Sequence, residues 1–194
     1  MNEEHWYIKT ERLFLISWVM KNKITTLLLI HMIFVVSCVT KKEDDRGYIV
    51  KVGDKAPDYT TVLDNGDTFR LSDHKGKVVM LQFTASWCGV CRKEMPFIES
   101  EIWQVHRNKD FVLVGIDRDE PLEKLNDLST ATGITYPLAL DPEAAIFGLY
   151  ALKKAGVTRN VIIDRDGSIA YMTRLFNQEE FDAMKLKIED LLNK

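Results

Sequence analysis

The chain has 194 residues, 46% of them apolar, with 26 basic and 29 acidic side chains and a net charge of −3. That size supports one well-packed domain, and the near balance of charge offers no basic surface for nucleic acid. Three cysteines are too few for a disulfide scaffold, so each needs its own explanation.

Lys21-Asn22-Lys23, the apolar stretch from Ile24 to Val36, and Ser37-Cys38 follow the order of a secretory signal: basic n-region, apolar h-region, small residue at the cleavage site. The apolar stretch is short for crossing a bilayer. Val35-Val36-Ser37-Cys38 also resembles a bacterial lipobox, which implies cleavage before Cys38 and lipidation of that cysteine. A signal starting at Met20 has ordinary proportions, whereas residues 1–19 add an apolar patch, Leu13 to Val19, that such a signal does not use. Residues 1–19 are therefore expected to be an upstream extension of the reading frame, and 20–37 the signal peptide. Lys41-Lys42-Glu43-Asp44-Asp45-Arg46 is too polar to pack, so 38–47 is expected to be a solvated tether and 48–194 the folded domain.

Within that domain, Thr60 to Leu63 and Thr68 to Leu71 flank Asp64-Asn65-Gly66-Asp67, a hairpin signal. Val78-Val79-Met80-Leu81 predicts a strand, and Met95, Ile98, Ile102 and Val105 recur at helical spacing soon after it. Phe111 to Ile116 is a continuous apolar run with the look of a central parallel strand covered on both faces. Asp119-Glu120-Pro121 opens a helix with Leu122, Leu125 and Leu128 on one face, ending near Gly133. Asp141-Pro142 caps a short helix carrying Ile146, Leu149 and Tyr150. Val161-Ile162-Ile163 and Ile169-Ala170-Tyr171 flank a second hairpin turn, Asp164 to Ser168. The last helix starts at Asn177 with Glu180 in capping position and buries Phe181, Met184, Ile188 and Leu191. The alternation of strands and helices predicts an α/β fold with helices covering the sheet.

Between the first of these long strands and its helix stands Trp87-Cys88-Gly89-Val90-Cys91. A helix N-terminus offers unsatisfied N–H groups and the positive end of the macrodipole, both of which favour a thiolate at Cys88. Cys88 is thus the expected nucleophile. Cys91, one turn deeper on the same face, is placed to attack a mixed disulfide on Cys88 and resolve it. The alternatives are structural cysteines or half of a zinc site, but no second cysteine pair exists and His5, His31, His74 and His106 are scattered. Trp87 offers either a flat contact for a partner chain or ordinary packing. Glu94 points along the cysteine face, where it either exchanges a proton with the buried thiol or simply complements the helix dipole.

Trp87-Cys88-x-x-Cys91, the following Arg92-Lys93-Glu94-Met95-Pro96 and the opening Val52-Gly53-Asp54-Lys55-Ala56-Pro57-Asp58 resemble the thioredoxin superfamily, in particular its TlpA/ResA-like branch of extracytoplasmic thiol-disulfide oxidoreductases. The resemblance covers roughly residues 48 to 194 and implies a thioredoxin-like fold, a central mixed sheet flanked by helices with an N-terminal β-hairpin and an inserted helix. It implies that Glu94 tunes the cysteine pair, and that Gln82 replaces the buried acid of cytoplasmic thioredoxins. It also implies a monomer without organic cofactor or metal, acting on protein dithiols and disulfides in the cell envelope and fed electrons by a membrane thiol transporter.

Two positions depart from the pattern. Val90 replaces a frequent proline, which alters the redox potential rather than the chemistry. Counting back from Val161 puts Thr158 where the family carries a cis-proline opposite the cysteines, and a non-proline residue there is expected in trans. Arg159 brings peroxiredoxins to mind, but Thr84 and Ser86 stand at the wrong offsets for a peroxidatic motif. A thiol peroxidase and a redox-inert binding module are the alternative functions.

Overall fold

The computed structural model describes residues 46–194. The expected extension, signal peptide, Cys38 and most of the tether lie outside the described residues. The short hairpin of β1 (Thr60–Val62) and β2 (Thr68–Arg70) stands where Asn-Gly predicts it. The main sheet has five strands: β3 (Val78–Thr84), β4 (Phe111–Arg118), β5 (Leu138–Asp141), β6 (Arg159–Ile163) and β7 (Ile169–Arg174), in the order β5-β4-β3-β6-β7. β3, β4 and β5 run parallel, while β6 is antiparallel to β3 and to β7. The sheet is mixed, as expected.

Every residue of β3 is buried, which its unbroken apolar run requires of a strand covered on both faces. Alternate side chains serve two cores. Val79, Leu81 and Phe83 join Val114, Ile116, Val161 and Ile163 on one face; Val78 and Met80 join Leu113 and Ile162 on the other. The second face is covered by α1 (Gly89–Ile98), α2 (Leu122–Thr132) and α4 (Gln178–Leu192), through Met95 and Ile98, Leu125 and Leu128, and Phe181, Met184, Ile188 and Leu191. Burying each such side chain contributes about 1.5–3 kcal/mol. The first face is covered by Phe69 of the hairpin and by the inserted one-turn helix α3 (Phe147–Tyr150), and this core also takes in Cys88 and Cys91.

Several caps match the sequence. The Asp141 carboxylate accepts from the N–H groups of Ile146 (2.7 Å) and Phe147 (2.8 Å), and Asn177 accepts from Glu180 N–H. Gly133 closes α2 in the left-handed conformation at φ 70°.

Other expectations need correction. Val105 is exposed, because α1 passes into a π-helical turn at Glu99–Trp103. Pro96 has no N–H to give the helical ladder, and the wider turn that follows brings Ile102 and then His106 inward instead. Leu122 is exposed too, since as the first residue of α2 it precedes the turn that packs on the sheet. In α3 it is Phe147 that fills the core while Leu149 stays partly in solvent. Glu180 does not complete a capping box: its carboxylate accepts from Arg46 (2.8 Å) and Arg174 N–H (3.3 Å).

Candidate redox site

β3 ends at Thr84, and four residues later Cys88 caps α1. Its sulfur accepts from the N–H of Cys91 at 3.2 Å, the place a serine or aspartate oxygen takes in an ordinary N-cap. The two cysteines form a disulfide with Cα atoms 5.3 Å apart. Cys91 is fully buried and Cys88 is 8% exposed, so Cys88 is the more accessible of the two. In the reduced state the same N–H and the helix dipole stabilise a thiolate at Cys88. Trp87, beside it, is 64% exposed and so takes little part in the core.

Thr158, just before β6, reaches both sulfurs. Its Oγ1 lies 3.2 Å from Cys88 Sγ and 3.3 Å from Cys91 Sγ. Among the described residues no peptide bond is cis, as expected for a threonine here. The Thr158 carbonyl is occupied, accepting from Leu175 N–H (3.2 Å) and the Arg174 guanidinium (3.4 Å). Arg159 turns elsewhere. Its guanidinium stacks over Tyr48 at 4.3 Å and donates to the carbonyls of Arg46 and Gly156. It therefore ties the N-terminal segment to the sheet, and nothing here favours a peroxidase.

Glu94, a turn beyond Cys91, is 1% exposed. Its Oε1 accepts from the Asn160 amide at 2.7 Å, and that amide also donates to Thr173 Oγ1. Burial pushes the Glu94 carboxyl up to about 7, the Asn160 amide holding it back from rising further. Such a group can take up or release a proton near neutrality. Gln82 is buried where the resemblance places it, its Oε1 accepting from Tyr136 at 2.6 Å. Glu94 Oε2, Gln82 Nε2 and Asn160 Oδ1 have no hydrogen-bond partner among the described residues. Beside this layer β4 carries a glycine: a Cβ at Gly115 would collide with the Leu138 side chain.

The structure thus gathers Cys88, Cys91 and Thr158 into direct contact, sets Trp87 at the rim and places Glu94 in the buried layer behind. Cys38 lies outside the described residues. Sequence reasoning missed Asn160, the partner of Glu94, and the pair Ser86 and Glu120. Among the described residues no group of acids, histidines and cysteines could hold a metal ion.

A thioredoxin-like sheet presenting a Cys-x-x-Cys pair at a helix N-terminus defines a thiol-disulfide redox enzyme. The chain belongs to the Redoxin family, whose model matches residues 51–190. Thiol-disulfide oxidoreductase ResA of Geobacillus kaustophilus is 28% identical over 120 residues, 62% of this chain and 67% of that protein. ResA of Oceanobacillus iheyensis is 30% identical over 132 residues, 66% of this chain and 68% of its own. The solution structure of a candidate protein disulfide isomerase from Bacteroides thetaiotaomicron matches with a TM-score of 0.75 at 60% identity, covering 76% of this chain and 94% of that one. A candidate thiol:disulfide interchange protein DsbE from Chlorobium tepidum matches at 27% identity and a TM-score of 0.64, covering 74% and 99%.

Proposed function

We propose that this enzyme reduces protein disulfides outside the cytoplasm, tethered to the cell envelope by a lipid on Cys38. The observation that carries the reading is the N-capping sulfur of Cys88, the more exposed of the two cysteines, with Trp87 beside it.

The Cys88 thiolate attacks one sulfur of a substrate disulfide, forming a mixed disulfide and expelling the other substrate sulfur as a thiolate. Cys91, once deprotonated, attacks Cys88 Sγ; the Cys88–Cys91 disulfide forms and the second substrate thiolate leaves. Two electrons pass to the substrate. Glu94 receives the Cys91 proton during resolution, and the Thr158 hydroxyl donates to whichever sulfur carries charge. The enzyme is monomeric and uses no cofactor or metal. Because its compartment is oxidising, a membrane thiol transporter must return two electrons per cycle to the pair, as the resemblance to the TlpA/ResA-like branch implies.

The test is to equilibrate the purified protein against graded thiol-disulfide buffers and count trapped thiols by mass. A reversible two-electron transition near the thioredoxin end, about −270 mV, is expected; a midpoint near −120 mV would make the enzyme an oxidant instead. If no Cys88–Cys91 disulfide formed at any poise, the reading would fail.

A further inference from the structure

The turn that carries the nucleophile is held from outside the cysteine motif. Glu120 accepts two hydrogen bonds from Ser86, one from the backbone N–H at 2.5 Å and one from the hydroxyl at 2.6 Å. Ser86 immediately precedes Trp87 and stands two residues before Cys88. Glu120 reaches it from the end of β4, where Asp119 adopts φ 62°, a left-handed conformation that turns the chain sharply.

Behind this contact sits Asp117, fully buried, opposite Thr84 in the β3–β4 register. No N–H or O–H group among the described residues donates to either of its carboxylate oxygens, and its side-chain hydrogen-bonding neighbour is another carboxylate, Glu120. The titratable groups facing it are Glu120 and, from β5, Asp141, with Asp119 facing Asp141 in turn; all are acids. The neighbouring cation, Arg118, is turned away to Asp119 and to the carbonyls of Lys153 and Ala155. An ionised carboxylate in that setting would be buried without any compensating donor, so the stable form of Asp117 holds a proton.

We propose that Asp117 is a positioning residue for the thiol chemistry: its protonated carboxyl donates to Glu120, and the one negative charge left on the pair holds Ser86, and through it Trp87 and Cys88, in place. Burial and the Glu120 charge push Asp117 up to about 8. Below that pH one proton is shared and the turn is set. Above it two carboxylates face each other, Glu120 loses its donor, and its grip on Ser86 loosens.

The proposal builds on the same redox site, so its first readout needs no substrate: the amide proton shift of Ser86, followed by NMR in the full chain from pH 6 to 10. In the wild type that shift should move in one step between pH 7 and 9. In Asp117→Asn, whose amide donates at every pH, it should stay constant; in Glu120→Gln it should resemble the loosened form throughout. The second readout is the rate of reduced protein with oxidised glutathione, corrected for thiolate fraction. It should fall about threefold from pH 7.5 to 9.5 in the wild type, as orientation is lost, and stay level in Asp117→Asn. A flat Ser86 shift in the wild type overturns the proposal even if Asp117→Asn fails to fold, and so do superimposable profiles of the two proteins. Failure of the redox reading itself would show differently, as a missing disulfide with the Ser86 titration intact.

Discussion

The Thr158 hydroxyl oxygen lies 3.2 Å from the Cys88 sulfur. A threonine at the position opposite the cysteines thus brings a hydrogen-bond donor where the family's proline has none. In the reduced state that donor favours thiolate over thiol at Cys88, and hydrogen bonds to charged groups contribute about 1.5–3 kcal/mol. Thr158→Val, which keeps the bulk and removes the hydroxyl, should raise the Cys88 thiol by about one pKa unit, while Thr158→Ser should leave it nearly unchanged. The pH dependence of Cys88 alkylation measures both. An unshifted titration in Thr158→Val would show that the contact does not act on the thiolate.

Glu94 ties acid-base chemistry to stability. Its folded-state carboxyl titrates at about 7 against an ordinary value of 4.5, because burial disfavours the charge. Between those values the folded protein holds a proton that the unfolded chain has released. The associated stability is therefore fully present below about pH 4.5 and is lost as pH rises through about 7, by on the order of 3 kcal/mol. In Glu94→Gln this component should disappear. Urea unfolding at pH 5 and pH 8 should show the wild type losing more stability than the variant over that interval; parallel losses would contradict the burial of an ionisable Glu94. Stopped-flow release of substrate from the mixed disulfide should lose its inflection near pH 7 in the same variant.

Much of this was legible in the sequence where the signal is local. The apolar runs of β3 and β4, the Asn-Gly hairpin, the Asp141 and Asn177 caps and the cysteine pair each announce themselves within a few residues. What stayed hidden depends on groups far apart in the chain. Glu94 meets Asn160 across 66 positions and Ser86 meets Glu120 across 34, pairings fixed by how the helix packs on the sheet and by the neighbouring ends of β3 and β4 rather than by adjacent residues. Glu120 looked like part of a helix opening, and Asp117 lies just past the apolar run from Phe111 to Ile116 without a signal of its own. Counting back from β6 found Thr158, but not that its hydroxyl touches both sulfurs. Val105 failed for a different reason: a π-helical turn breaks the 3.6-residue period on which the reading relied.

The order of attack follows from exposure. Cys91 is fully buried while Cys88 retains a small accessible surface, so the proposed mechanism has the substrate sulfur meet Cys88 first. Cys91→Ser should therefore accumulate a covalent mixed disulfide on Cys88 when mixed with a disulfide-bonded peptide, because the resolving thiol is gone. Cys88→Ser should trap essentially none. Intact mass after acid quenching distinguishes the two; adducts on Cys91 in the Cys88→Ser protein at wild-type rates would reverse the roles.

Trp87 separates recognition from folding. With 64% of its surface exposed, the side chain contributes little to the core, so Trp87→Ala should change unfolding stability by no more than about 0.5 kcal/mol. Beside the attacking sulfur, however, a large rigid aromatic gives a partner polypeptide an apolar surface to bury, and contacts of this kind often cost about 2 kcal/mol when truncated. The loss should appear as a rise in KM of roughly thirtyfold for a disulfide-bonded protein substrate, with kcat little changed. Oxidised glutathione, too small to cover the indole, should react with wild type and variant at similar rates. Equal losses on both substrates would place Trp87 in the chemistry of the thiolate rather than in the docking of the chain that brings the disulfide.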